Sequence, residues 1–197
     1  MKNLLLSLLL ISCLSLSAQT PTSSSSEKSM LSLELDPAPF ILGGYSFSLK
    51  YSPAQLSHFS IMASVYSSEF PDNMMSKSNF DKGFRDLKLE TSFAVFADYF
   101  FRPDRKGLHF GPSVFFYSKS VGHLNSTERI HFNSRYPNLR AGYVFKPFKN
   151  VGFYLNPWVN FGKEFGENSN AKSETLKFTQ DKFSYIVAIH FGYAVNF

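Results

Sequence analysis

Apolar and polar residues alternate with a period of two through most of this chain. Over 183–197 the apolar row Phe183, Tyr185, Val187, Ile189, Phe191, Tyr193, Val195 and Phe197 runs opposite Ser184, Ile186, Ala188, His190, Gly192, Ala194 and Asn196. Residues 87–101 set Leu87, Leu89, Phe93, Val95, Tyr99 and Phe101 against Lys88, Glu90, Ser92, Ala94 and Asp98, and 107–119 and 151–163 repeat the pattern. Only a β-strand turns successive side chains to opposite faces. Read with its turn signals, the chain divides into eight predicted strands, at 29–36, 39–51, 57–68, 87–101, 107–120, 135–146, 151–163 and 183–197. Pro112 and Pro157 fall inside two of them, and because each removes a ladder donor, a bulge or strand shift is expected at both.

The connections differ in length. Ser52-Pro53-Ala54-Gln55, Arg102-Pro103-Asp104-Arg105-Lys106 and Pro147-Phe148-Lys149-Asn150 are short, whereas 69–86, 121–134 and 164–182 are long and rich in Asn, Ser, Lys and Glu. The first long-side connection, Asp36-Pro37-Ala38, is the exception in being short. Short turns at one end and long loops at the other, on an even number of strands, predict an all-β, antiparallel up-and-down barrel whose long loops lie outside a membrane. A soluble ligand-holding barrel is the rival, and side-chain volume separates the two. An eight-stranded interior is only just wide enough to be filled by side chains, so the many Val, Leu, Ile, Phe and Tyr residues of the apolar face cannot all point in. They point out, toward lipid. The opposite face carries Gly44, Ser46, Ser48, Ser60, Ser64, Gly111, Ser113, Gly142, Gly152, Gly162, Ala188 and Gly192, small enough for a narrow lumen.

The N-terminus follows a different pattern. Lys2, an apolar run from Leu4 to Leu14 and small residues at Ser17-Ala18 form a secretory signal peptide, too short for a membrane helix. Cleavage after Ala18 gives a signal peptide at 1–18, a Ser-rich periplasmic linker at 19–28 and a barrel at 29–197. Leu10-Ile11-Ser12-Cys13 also fits a lipoprotein site, which leaves the processing of Cys13 open. With cleavage at Ala18 the mature chain loses its single cysteine and needs no disulfide. Of 197 residues, 18% are charged and 23 are Phe, which excludes a disordered chain. The net charge of +5 is spread over turns and loops, and a nucleic-acid binder would cluster it.

Candidate chemistry lies on the inward face: Glu34, Lys50, His58, Lys88, Glu90, Asp98, His109, Lys119, Arg140, Lys146, Asn156, Trp158 and His190. Buried charges need partners, so a polar plug centred on Glu34, Lys88, Glu90, Asp98, Arg140 and His190 is expected, with Arg140 paired to Glu34 or Glu90. Phe96, Phe100, Phe115, Tyr117, Tyr154 and Trp158 share that face and help to fill it. In the loop 121–134, His123 and His131 flank Glu128, and Asp72, Asp81, Asp86 and Asp181 lie in the other long loops. That leaves a rim-located hydrolase as one reading. Neither a metal-binding spacing nor a phosphate loop occurs, and no cofactor is expected.

The C-terminal row Ile189, Phe191, Tyr193, Val195 and Phe197 resembles the terminal-strand signal of bacterial outer-membrane β-barrels, and Gly44-Tyr45, Gly142-Tyr143 and Gly192-Tyr193 repeat a pair common there. Together with the signal peptide, this is a resemblance to small eight-stranded outer-membrane proteins over the mature chain beyond residues 21–26. It implies a bacterial outer-membrane location, outer-membrane lipid and the barrel-assembly machinery as partners, no nucleic acid, and a monomer. The function expected is a structural or surface-interaction role through external loops, without enzymatic activity and with a plugged lumen. A small channel for ions or solutes is the alternative, and a lipid- or peptide-modifying hydrolase a second one.

Overall fold

The structure, a computed structural model, describes residues 28–148, 151–167, 178–179 and 183–197. The expected signal peptide and all of the expected linker but Lys28 lie outside the described residues. The strands are β1 (Met30–Leu35), β2 (Tyr45–Ser52), β3 (Phe59–Glu69), β4 (Phe84–Phe100), β5 (Gly107–His123), β6 (Ser126–Val144), β7 (Phe153–Gly162), β8 (Phe165–Glu167) and β9 (Ser184–Asn196). All pairings are antiparallel. They run β5-β4-β3-β2-β1-β9-β7-β6, and β5–β6 pairing closes the ring. β8 pairs with β6 in the register that β7 leaves off, so the two are one interrupted stave and the barrel has eight.

The interruption has a local cause. Pro137 of β6 faces it and has no N–H to donate across, although its carbonyl still accepts from Lys163 N at 3.3 Å. The expected shifts at Pro112 and Pro157 do not occur. Pairing of β4 with β5 pauses opposite Pro112, and pairing of β6 with β7 pauses next to Pro157, but each resumes in the same register. The missing donor costs a rung and leaves the alignment, because the flanking ladders hold both strands. True register shifts fall elsewhere, between Arg85 and Lys88 and between Leu89 and Phe93 on β4.

Three expected boundaries change. The strand expected from 39 starts at Tyr45, because Pro37 and Pro39 cannot donate to a ladder. The chain instead forms α1 (Pro37–Ile41), capped by Asp36 Oδ1 accepting from Ala38 N at 3.0 Å, and Gly43 at φ +72° turns it into β2. The long loop expected at 121–134 is a hairpin. β5 and β6 extend until only Leu124 and Asn125 connect them, with Val121 opposite Ile130. Polar residues on both faces hide a strand that projects beyond the apolar belt. In the loop expected at 69–86, a single turn (Asp72–Met74) and α2 (Lys77–Asp81) precede β4.

Burial follows the alternation. Outward residues such as Leu33 at 53%, Ile61 at 58%, Leu139 at 68% and Val187 at 67% stay exposed, while the intervening ones are buried. The interior is layered. At the short-turn end lie Phe100, Val144 and Tyr154; further up lie Met62, Phe96, Phe115, Tyr136 and Trp158; at the loop end lie Met75, Phe84, Val121, Phe132 and Phe178. There Asn79 Nδ2 donates to Thr179 O at 2.9 Å and Asn79 Oδ1 accepts from Thr179 N at 2.8 Å. At the short-turn end, burial opposes charge on Asp104, but hydrogen bonds from Arg102 and the Lys106 N–H hold its carboxyl below the usual range.

Gly111 marks a close approach of backbones. A Cβ there would lie 1.7 Å from the carbonyl oxygen of Ala97, a backbone atom that cannot rotate away. Gly111→Val is expected to cost more than the ~3 kcal/mol of ordinary overpacking and to remove the heat-modifiable folded band on gels.

Candidate functional site

Between the two lower apolar layers lies a layer of charge. Glu34 of β1 is 0% exposed and is a common acceptor: it ion-pairs with Lys50 of β2, and its Oε1 accepts from Tyr154 Oη at 2.6 Å. Its Oε2 meets His190 Nδ1 at 2.8 Å and accepts from Asn156 Nδ2 at 3.4 Å. Across the barrel Asp98 of β4 ion-pairs with Arg140 of β6, whose Nε donates to Asp98 Oδ1 at 3.2 Å. His109 joins the two groups. Its Nδ1 lies 3.4 Å from Asp98 Oδ1, and its Nε2 donates to Asn156 Oδ1 at 2.9 Å. Polar side chains therefore run in sequence from Arg140 through Asp98, His109, Asn156 and Glu34 to Lys50 and His190, hydrogen-bonded or ion-paired at each step except Asp98 to His109, where the groups are only in close contact.

Glycines let these side chains reach one another. Gly192 is in register with Glu34 on one side and Tyr154 on the other, and a Cβ at Gly192 would lie 2.2 Å from the Tyr154 ring. With no side chain there, Tyr154 crosses β9 to reach Glu34. Gly142 plays the same part for His109, whose Nε2 would lie 2.4 Å from a Cβ at that position. Gly111 is in register with Arg140 and stands between it and β4. The small residues of the inward face are thus the crossing points of the large ones.

Aromatic rings bound the charged layer. The Arg140 guanidinium sits 4.2 Å from the Phe96 ring centroid and 5.4 Å from that of Trp158, while Lys50 Nζ lies 5.2 Å from that of Tyr154. Trp158 meets His190 edge-on at 5.3 Å, and Phe100 lies 5.0 Å from His109. Both carboxylates are matched by a fixed cation, as burial of charge requires.

Of the expected plug residues, Glu34, Asp98, Arg140 and His190 come together, and Lys50, His109, Tyr154 and Asn156 join them. Arg140 pairs with Asp98, and not with Glu34 or Glu90. Lys88 and Glu90 stand apart. The β4 register shifts carry Lys88 to Glu69 at 2.5 Å, both side chains being partly exposed, and turn Leu87 and Leu89 toward the buried clusters instead. Glu90 accepts from Ser120 Oγ at 2.6 Å. Near the loop end Lys119 meets Glu164 at 2.5 Å. His123 Nε2 donates to Lys82 O at 2.9 Å and its Nδ1 accepts from Asn125 N, so both ring nitrogens are engaged by backbone; His131 lies exposed on β6, and Asp181 is outside the described residues. Ile189, Phe191, Tyr193, Val195 and Phe197 form one outward row, 42 to 66% exposed, ending where Phe197 N donates to Ser29 O at 2.9 Å.

No family model and no curated protein match the sequence. Among solved structures, the chain is similar to the N-terminal β-barrel domain of Pseudomonas aeruginosa OprF at 10% identity and a TM-score of 0.44, covering 86% of this chain and 98% of that one. A major outer membrane protein from Thermus thermophilus aligns at 11% identity and a TM-score of 0.45, over 85% and 99% of the two chains. Acinetobacter baumannii CarO2 aligns at 12% and 0.39, over 86% and 98%. The architecture itself, a closed antiparallel barrel of eight staves with its apolar face outward, stands on the pairing and burial described above.

Proposed function

We propose that this chain is an integral barrel of a bacterial outer membrane that does not conduct, and that it acts as a surface scaffold through the segments at its loop end. The outward belt supports membrane residence. So many exposed Phe, Leu, Ile and Val residues on a closed sheet far exceed the apolar patches that soluble monomers tolerate, and burying them in hydrocarbon is favourable. Lipid is then the solvent of that belt, and the terminal row ending in Phe197 is the segment offered to the assembly machinery.

The charged layer carries the non-conducting reading. Glu34 and Asp98 are held by partners from β2, β5, β6, β7 and β9, and Phe96, Trp158, Phe100 and Tyr154 lie against those partners. An ion crossing this layer would have to break charge-assisted hydrogen bonds between side chains that are almost fully buried. Purified protein in planar bilayers is expected to leave the membrane at its baseline conductance. Steady, stepwise currents from the wild-type chain would overturn the reading in favour of a channel.

A further inference from the structure

The barrel wall is incomplete near the loop end. β1 stops at Leu35, opposite Phe191, and the chain then turns into α1, which packs against β2, β3 and β9 without adding a paired strand. Above that point Ser184 to His190 of β9 pair with β7 on one side but, among the described residues, with no strand on the other. On the far side of the gap, Tyr45, Ser46 and Phe47 of β2 pair, among the described residues, with β3 alone. An unpaired sheet edge within hydrocarbon is costly unless something occupies or lines the space beside it.

Behind this gap is a cavity of about 480 Å³, within the range of small-molecule sites. Its lining runs from Pro39 and Leu42 of the α1 segment, past Tyr185 and Val187 of β9, to Phe115 and Trp158 in the interior. Outward-facing and inward-facing residues line one space, so the cavity passes through the wall. A strip of serines, Ser46, Ser48, Ser64 and Ser68, lies along the β2–β3 side. Three lining residues carry a buried polar group without a hydrogen-bond partner among the described residues: Tyr66 Oη, Ser68 Oγ and Trp158 Nε1. Buried polar groups are ordinarily partnered, and the indole N–H is a donor only. The charged side chains of the cavity are spoken for or stand at its edge: Lys119 by Glu164, His190 by Glu34, and Asp36 at the α1 cap.

We infer that this cavity binds an uncharged single-chain lipid, whose acyl chain enters from the outer leaflet through the gap between β2 and β9 and whose ester or hydroxyl oxygens take the unpartnered donors. The inference rests on the membrane reading above. An apolar lining selects a hydrocarbon chain, orphan donors select acceptor oxygens, and Lys119, already matched by Glu164, gives no advantage to an anionic head.

Trp158 is the only tryptophan and lines the cavity, which makes it the reporter. The full chain, inserted into phosphatidylcholine vesicles, is titrated with a dibrominated monoacylglycerol, whose bromines quench indole on contact. Trp158 emission is expected to fall by more than half and to saturate, and the matching brominated fatty-acid anion is expected to quench less at equal concentration. Ser64→Phe, which fills the cavity, is expected to abolish the saturable loss, with Ser46→Leu as a second filling variant should the first fail to fold. Equal quenching in parent and filled variants, or none in the parent, would overturn the cavity assignment; stronger quenching by the anion would overturn the choice of head group. The membrane reading is tested apart. A Trp158→Phe, Leu49→Trp variant places the only indole on the outward face, where brominated phosphatidylcholine should quench it. Failure of that control would remove the basis for lipid entry altogether.

Discussion

Arg140→Ala is expected to lower the stability of the barrel by about 3 to 5 kcal/mol, because it leaves Asp98 buried without its fixed cation. The Arg140 side chain is buried, forms an ion pair with Asp98 and stacks near Phe96 and Trp158. The same alanine therefore deletes packing as well as charge. Arg140→Lys should fall short of rescue, since an ammonium cannot reproduce the two-pronged contact or the flat stacking of a guanidinium. The diagnostic comparison is the double variant Arg140→Met, Asp98→Leu. With both charges gone and the volume filled, most of the lost stability should return, as apolar replacement of buried ion pairs is often neutral or better. Urea unfolding in vesicles, followed by gel mobility so that the reporter stays independent of Trp158, gives all of these values. A single Arg140→Ala variant that unfolds with the parent would mean that water already solvates the layer.

The fold was legible because period two is a strong signal and because side-chain volume decides which face turns outward. The outward rows of β2, β3 and β9 lie where the alternation placed them. Errors arose where alternation is silent. In β4 a register shift between Leu89 and Phe93 reverses the faces above it, so Lys88 leaves the interior and Leu89 enters it; nothing in the order of residue types marks the extra residue. In β5 and β6 the strands run past the apolar belt into water, where both faces are polar and a strand reads as a loop. The prolines misled in the opposite direction. Pro112 and Pro157, where shifts were expected, each cost a rung, yet the ladders on either side keep the register.

The charged layer was legible in membership and not in pairing. Residues facing inward near mid-strand can be read from parity, but which of them meet depends on the stagger between strands and on the glycines between them. Arg140 reaches Asp98 because Gly111 separates them; Tyr154 reaches Glu34 because Gly192 does. A glycine in register between two long polar residues on either side is a usable signal. It would have pointed to both contacts once the strand register was known.

Glu34→Gln is the second large effect expected, at about 3 to 5 kcal/mol, since it strips Lys50 of its counter-charge while leaving the shape of the side chain almost unchanged. Glutamine still offers an acceptor to Tyr154, but its NH2 group would face Asn156 Nδ2 and His190 Nδ1, so the loss combines charge with a mismatch of donors and does not come from packing. Pairing it with Lys50→Met should recover most of the stability. The path through Asn156 adds a further consequence. Asn156 accepts from His109 and donates to Glu34, and His109 Nδ1 lies 3.4 Å from Asp98 Oδ1, so the Asp98 and Glu34 centres are connected by hydrogen bonds at Asn156 and by a close electrostatic contact at His109. A double-mutant cycle of Glu34→Gln with Asp98→Asn should then show a coupling of about 0.5 to 3 kcal/mol, the range for residues in one network. The same cycle in an Asn156→Ala background should show the two losses adding independently. Simple additivity with Asn156 present would mean that the two ion-pair centres hold the barrel separately, despite the contacts between them.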